Sequence, residues 1–303
     1  MKKDVSIIIV NYNTKRLLKD CLASIFEHTK NIRYEVIVSD NGSADGSVEM
    51  IQNDFPDVCI VENNANIGFG AANNNALAVA QGKYIFYLNS DTVLLNNAIK
   101  FFFDYWEHST IRNLGAIGAN LLDENNNIIH SGGHFKTIDD EIKDTIHDLL
   151  RSYKNSIPLF QKIHLGNLSS ASPVRALGKI DYVTGADLFV KNDVFAKFDE
   201  RYFLYYEDTD LQKTMELANK CRMLIDGPLI RHIKGQSDKT DTVMDFYSSR
   251  SKAETFFSMC LYQKKFHFHP FKLFILKILI FFIWINPCLF KKTRIYIPRL
   301  FKI

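Results

Sequence analysis

The sequence is short of the features that mark several common protein classes. Its five cysteines (Cys21, Cys59, Cys221, Cys260 and Cys288) are odd in number, far apart, and form no CxxC pair. That argues against a disulfide framework and a zinc ribbon, and a reducing compartment fits best. No internal repeat is visible. The first apolar run, Val5–Val10, is too short for a signal peptide and meets polar Asn11 at once, so it reads as a strand. Acidic residues are missing beyond Glu254, whereas nine basic residues follow it. Residues 1–254 therefore carry a net charge of −6 and the remainder +9. The body is not a nucleic-acid binder by charge, and the tail is where an anionic surface would be met. Within Phe266–Phe290 the longest unbroken apolar run, Ile278–Ile285, has eight residues. A spanning helix wants about 20, so the tail reads as a helical segment lying at a membrane interface.

What is present is alternation. Of the 303 residues 47% are hydrophobic and 23% charged, ordinary values for a globular chain able to bury a large core. Val5–Val10, Tyr34–Ser39, Val58–Glu62 and Tyr84–Asn89 read as strands. Helical patterns follow Thr14 and cover Gly46–Phe55, Gly70–Gln81 and Ala98–His108. Such alternation over short connections predicts an α/β, doubly wound, mainly parallel sheet of Rossmann-like type. Leu121–Phe135 reads as a hairpin turning at Asp123–Asn127, Asp139–Tyr153 as a helix, Ile180–Val190 as a strand, and a further helix follows Asp208.

Polar residues gather where the strands end: Asn11, Asp40-Asn41-Gly42-Ser43, Asn63-Asn64 and Asn89-Ser90-Asp91. One such cluster would be a turn. Four at equivalent strand ends predict a ligand site, because open parallel sheets bind beyond the carboxyl ends of their strands.

Six segments occur in order: Val5–Asn13 (VSIIIVNYN), Val38–Ser43 (VSDNGS), Asn66–Asn74 (NIGFGAANN), Leu88–Thr92 (LNSDT), Val183–Ala186 (VTGA) and Tyr205–Leu211 (YYEDTDL). Together, from about residue 4 to about residue 235, they resemble the inverting family-two glycosyltransferases of GT-A fold, and among them the rhamnosyltransferase-like branch. The resemblance implies a transferase domain over 1–237, with a nucleotide-binding half at 1–110 and an acceptor half at 111–237. The basic, hydrophobic, membrane-associated tail is then 238–303. It also implies a dTDP- or UDP-sugar donor and a lipid-linked or polysaccharide acceptor, at the cytoplasmic face of the inner membrane.

Residue by residue, the resemblance makes Asp40 the carboxylate that holds the nucleobase; capping the Gly42–Asp45 turn is the other role open to it. Asn11 and Asn41 join it at the strand ends. Asn66, Gly68, Gly70 and Asn74 match the segment that lines the nucleotide, where glycines allow close approach and a helix N-terminus favours an anion. Asn89-Ser90-Asp91 stands at the family's D-x-D motif with its first Asp replaced. Asp91 is then the ligand of a divalent cation, Mg2+ or Mn2+, with Asn89 positioning the site. His232 completes the metal site or is structural. Asp208 is the expected base, with Glu207 its helper, since displacement at an anomeric carbon needs a proton acceptor for the attacking hydroxyl. Both could instead serve a helix N-terminus. Gly185 lets its loop approach donor and acceptor. The donor sugar is rhamnose or another hexose. Two other readings are a nucleotidyltransferase, which would want a glycine-rich basic loop where Asn11-Tyr12-Asn13-Thr14 stands, and a non-catalytic membrane-bound scaffold.

Overall fold

A computed structural model describes residues 3–156, 177–233 and 242–303. In chain order the first elements are β1 (Val5–Asn11), α1 (Lys15–His28), β2 (Tyr34–Asp40), α2 (Ser47–Asp54), β3 (Cys59–Glu62), α3 (Phe69–Leu77) and β4 (Tyr84–Asn89). Then come β5 (Thr92–Leu94), α4 (Ala98–His108), β6 (Leu114–Leu122), β7 (Gly132–Gly133), α5 (Ile138–Ser156), β8 (Gly178–Ile180), β9 (Tyr182–Val183) and β10 (Asp187–Lys191). The last are α6 (Glu207–Leu217), β11 (Cys221–His232), α7 (Val243–Ser248), α8 (Arg250–Phe266), α9 (Pro270–Trp284), α10 (Phe290–Thr293) and α11 (Ile297–Leu300).

Two compact units result. The first holds residues 3–135, 177–203 and 207–233, and the second holds 136–156, 204–206 and 242–303. Among the described residues, nine strands of the first unit make one sheet, in the order β3-β2-β1-β4-β10-β6-β11-β5, with β8 also on β11. β3, β2, β1 and β4 are parallel, as are β6 and β11. β10 runs antiparallel to both its neighbours, and β5 and β8 run antiparallel to β11. The expected doubly wound α/β sheet is present, but it is parallel on the β3–β4 side and mixed beyond.

Why β1 sits at the centre follows from its sequence. Ile7 and Ile9 point into one core layer with Leu18, Leu22, Met50 and Phe102, while Ile8 points into the other with Ala76, Tyr87 and Met215. A strand covered on both faces needs this unbroken apolar run. Small residues let α3 press close to the sheet through Ala72 and Ala76, both fully buried.

Two expectations change. The Leu121–Phe135 hairpin forms its turn, where Asp123 Oδ1 accepts from the amides of Asn125 and Asn127 at 2.8 Å each. Its return arm makes only a single bridge, Leu122 to Ile128, because Gly132–Gly133 pairs with β9 instead. A Cβ on Gly132 would lie 2.4 Å from the Tyr182 carbonyl, so that pairing depends on glycine. Nor is Ile180–Val190 one strand: it divides into the end of β8, β9 and β10 around the Thr184–Ala186 loop.

In the second unit, side-chain caps start the helices. Thr242 accepts from the Asp245 amide, Ser249 from that of Lys252, and His269 from that of Lys272 with Pro270 in the first turn. Trp284 is fully buried, with its ring 5.9 Å from Phe256, 5.6 Å from Phe257 and 5.7 Å from Tyr296. Tyr206 donates to Glu141 Oε1 at 2.5 Å. No helix among the described residues is long and apolar enough to cross a membrane. The expected boundary at 237/238 lies outside the described residues.

Asp187 opens β10 in the middle of the sheet and is fully buried, its Oδ2 accepting from the Ala119 amide at 2.7 Å. Burial pushes this carboxyl up to about 8. The folded state therefore keeps a proton that the unfolded chain releases near pH 4, and stability falls as pH rises between those values, by at most about 1.4 kcal/mol per pH unit. Asp187→Asn keeps an acceptor for Ala119 and has no charge to bury. Urea denaturation between pH 5 and 8 should give a flatter profile for this variant than for the wild type, with the variant the more stable at pH 8.

Candidate active site

The strand ends are level. In the register of the parallel strands Asn11 faces Asp40, Val10 faces Asn89, and Asp40 faces Glu62. The polar residues that follow are thereby delivered to one edge of the sheet.

Asp40 is buried and its carboxylate is fully engaged. Oδ1 accepts from Asn11 Nδ2 at 2.7 Å, and Oδ2 accepts from the amides of Gly42 at 3.1 Å and Ser43 at 2.8 Å. The turn-capping arrangement is thus realised. Gly42 takes φ +75°, and a Cβ there would meet the Ala65 amide nitrogen at 2.9 Å. The Thr14 hydroxyl lies 2.6 Å from Asn11 Oδ1 and 2.9 Å from Ser90 Oγ, which ties the Asp40 turn to the residue before Asp91.

A lattice of asparagines carries the chain from β2 to α3. Asn41 Nδ2 donates to the Gly68 carbonyl at 3.2 Å, Asn63 Nδ2 donates to Asn41 Oδ1 at 3.0 Å, and the Gly68 amide donates to Asn66 Oδ1 at 3.1 Å. Gly68 has φ +94°, and a Cβ on it would stand 2.5 Å from the Phe203 carbonyl. That carbonyl accepts from the Phe69 amide at 2.9 Å. Gly70 packs its backbone against Phe198 and Glu207, whose Cβ atoms lie 3.2 and 3.6 Å from where its own would be. The Asn74 amide is spent on protein: it donates to the Phe198 carbonyl and to Glu200 Oε1 and accepts from the Phe198 amide, all at 2.9 Å.

On the other side of β4, the Asn89 amide donates to the Ala186 carbonyl at 3.1 Å, and the next amide back along that loop, Gly185, donates to Asp208 Oδ2 at 2.8 Å. Asp208 Oδ1 takes the Thr209 amide at 2.7 Å. Burial raises the Asp208 carboxyl above its ordinary value, against the pull of those two amides. Glu207 is pushed well above its own, first by burial and then by the neighbouring Asp208 charge. Its Oε2 is buried with no partner among the described residues. Of these two unequal carboxyls Glu207 is thus the more reluctant to ionise, and Asp208, with two amide donors set against its burial, is the one that gives up its proton first.

Asp91 Oδ1 lies 3.1 Å from His232 Nε2, and both side chains are mostly buried. β5 aligns them: Thr92 pairs with His232, and the Ile233 amide donates to the Asp91 carbonyl at 2.9 Å. His232 Nδ1 is buried and unpartnered among the described residues. One carboxylate and one imidazole suit a borderline cation such as Mn2+. Among the described residues no group of three or more His, Cys, Asp or Glu gathers to hold an ion. Asp91 and His232 would supply two ligands at most, and a cation there would need the rest from a bound diphosphate and water.

Two chains of hydrogen bonds connect part of the expected set: Asp40 reaches Ser90 through Asn11 and Thr14, and Asn89 reaches Asp208 through Ala186 and Gly185, whereas Asn74 bonds Phe198 and Glu200. Two residues were not anticipated, Gln212 and Asp187. Gln212 donates to the Val183 carbonyl at 2.7 Å and accepts from its amide at 2.8 Å, which fixes the loop that carries Gly185. Its signal was position, one helical turn after Asp208. Asp187, fully buried, acts in the same way through the Ala119 amide, and the partly buried Asn63 of the strand-end set steadies Asn41.

A mainly parallel α/β sheet with polar side chains at its strand ends is the arrangement that takes ligands beyond those ends. Residues 6–155 match the model described as Glycosyl transferase family 2, and the chain belongs to that family. An uncharacterized glycosyltransferase of Methanocaldococcus jannaschii is 31% identical over 129 residues, 41% of this chain and 44% of that protein. This chain thus spans less than half of that relative. The N-acetylglucosaminyl-diphospho-decaprenol L-rhamnosyltransferase of Mycobacterium tuberculosis is 24% identical over 249 residues, 78% of each chain. Among solved structures, a mannosyltransferase of Pyrobaculum calidifontis in complex with GDP-Man and Mn2+ superposes with a TM-score of 0.55 at 13% identity. That match covers all of this chain and 76% of the other, and shows the shared fold.

Gln212→Leu removes both partners of the buried Val183 peptide group. Each group left unpaired costs about 1–3 kcal/mol, so chemical denaturation should show a loss of roughly 2–4 kcal/mol.

Proposed function

We propose that this chain transfers a hexose, with inversion, from a dTDP- or UDP-sugar to a lipid-linked glycan during assembly of a cell-surface polysaccharide. The observation that carries the reading is Asp208, a buried carboxylate of raised basicity clamped by the Gly185 amide on the edge that also bears Asp40 and Asp91. A scaffold without catalysis has no need to keep three carboxylates on one connected edge, and the loop after β1 lacks the glycines and basic residues of a nucleotidyltransferase.

The roles follow from chemistry. Asp40, with Asn11 and Asn41, shapes the turn against which the nucleobase lies. Gly68 and Gly70 bring the start of α3 close to the nucleotide, and Asn66 and Asn74 hold that segment in place. Asp91 and His232 would hold a divalent cation, Mg2+ or Mn2+, which would offset charge on the diphosphate leaving group. Asp208 takes the proton of the acceptor hydroxyl as its oxygen bonds to the anomeric carbon. The bond from that carbon to the diphosphate breaks, and the nucleoside diphosphate leaves. A single base suffices, since no sugar–enzyme bond forms. Glu207, whose carboxyl burial and the Asp208 charge push well up, is the helper beside that base.

Rhamnose as the sugar, and a polyprenyl-diphosphate sugar as the acceptor, are favoured by the mycobacterial relative, whose name specifies both. The matching position is the cytoplasmic face of the inner membrane.

Donor binding and hydrolysis across UDP-, dTDP- and GDP-sugars, with Mn2+ or Mg2+, test the reading. One pyrimidine nucleotide-sugar should bind in a metal-dependent way, and Asp91→Ala should lose that dependence; folded protein that binds no donor would overturn it. Asp208→Asn should lower transfer by about 10³-fold or more, and Glu207→Gln by no more than about tenfold. If the two variants rank the other way, the base is Glu207. Because Asp208 must be ionised to accept a proton, kcat/KM should fall as pH drops through its raised value, above the ordinary carboxylate range near 4.

A further inference from the structure

We propose that the outward face of α9 docks this chain onto an anionic lipid surface, a reading that rests on the membrane-held acceptor of the proposed function. α9 is apolar all round apart from two lysines, yet only one side of it is used for folding. Leu273, Leu276, Ile280, Ile283 and Trp284 point into the core of the second unit. The opposite side carries Phe271, Phe274 and Phe282, which are 68%, 56% and 44% exposed, with Ile278 half-buried between them. Their spacing of three, four and four residues places them on one stripe of a 3.6-residue helix.

An all-apolar helix is found in a core or in a membrane. The 15 residues of α9 extend about 22 Å, short of the roughly 30 Å of bilayer hydrocarbon, so this helix cannot span and must lie in the plane. At 100° per residue, Lys272 and Lys277 fall on the two opposite borders of the phenylalanine stripe. The Lys272 ammonium is paired with Asp139 Oδ2 at 2.6 Å, while the stem of Lys277 can follow the apolar surface and carry its ammonium toward headgroup phosphates.

Charge selects the occupant. Lys291, Arg294 and Lys302 are exposed, and acids that reach this part of the unit are paired, Asp139 with Lys272, Asp245 with Lys292 and Glu254 with Arg299. The same side extends the aromatic surface: the Phe301 ring, 46% exposed, packs 6.0 Å from Phe281 of α9. A second copy of this chain would bring like charge against like across the stripe, which costs binding energy. Phospholipid headgroups carry the opposite charge, with acyl chains beneath to receive the phenylalanines.

The test uses the full chain and vesicles of phosphatidylcholine with and without phosphatidylglycerol. Flotation should recover the protein with the anionic vesicles, less at high salt and less with phosphatidylcholine alone. The triple variant Phe271→Ser, Phe274→Ser, Phe282→Ser changes exposed side chains only, and should lower vesicle partition by about tenfold or more. Lys291→Glu with Arg294→Glu and Lys302→Glu leaves the stripe intact and should also weaken binding. Donor hydrolysis in the absence of vesicles should be unchanged in both. Equal binding to neutral vesicles, no wild-type flotation, or unchanged partition in the phenylalanine variant overturns the docking surface. So does a wild-type dimer that the same variant dissociates. Vesicle binding without any donor hydrolysis would instead count against the transferase reading alone.

Discussion

One backbone hydrogen bond joins the two sides of the site. The Asn89 amide donates to the Ala186 carbonyl, and it does so because β10 enters the sheet antiparallel to β4 just where β4 ends. On one side of that bond are Asp91 and, through Ser90, Thr14 and Asn11, the Asp40 turn. On the other is Gly185, whose amide fixes Asp208. Backbone bonds of this kind are worth little individually, but a buried pair left unmade is costly. The geometry of the edge is therefore set by the sheet itself, and side chains such as Gln212 and Asn63 keep the loops where the sheet delivers them.

The donor side was readable from sequence because each strand there is a continuous apolar run that closes on Asn or Asp. Period and punctuation agree, and the observed β1, β2 and β4 end within a residue of where that pattern stops. The six motifs found their places in the same way. Beyond residue 110 the legibility drops for physical reasons. β10 is central but short, and its antiparallel sense leaves no mark in its composition. β7 is two glycines that pair only because their lack of side chains admits Tyr182. β11, at 12 residues, is interrupted by Asp226, Gly227 and Pro228, which look like a turn and are in fact an irregularity within one long strand. Asp187 and Gln212 were illegible because nothing local distinguishes a buried polar support from a surface residue; their meaning comes from residues far away in sequence.

Electrostatics divides the site's acids into distinct kinds. Asp40 accepts from three donors, the Asn11 side chain and the amides of Gly42 and Ser43. Glu207 is held back from ionising by burial and by Asp208, while Asp208 keeps two backbone donors against the same burial. Identical chemistry at the level of residue type thus yields a turn anchor, a carboxyl reluctant to ionise and a carboxyl held by two amides. Environment separates pKa values where composition cannot.

β5 has a consequence for how the site comes into being. This three-residue strand bearing Thr92 is made early in the chain, yet its strand partner is β11, some 130 residues later. Strand pairings over such distances close large loops and form slowly. On the ribosome the parallel strands β1 to β4 can gather first, but Asp91 cannot meet His232 until the last strand has emerged and threaded between β6 and β5. The nascent chain therefore holds an unfinished edge, and the Asp91–His232 pair is assembled last.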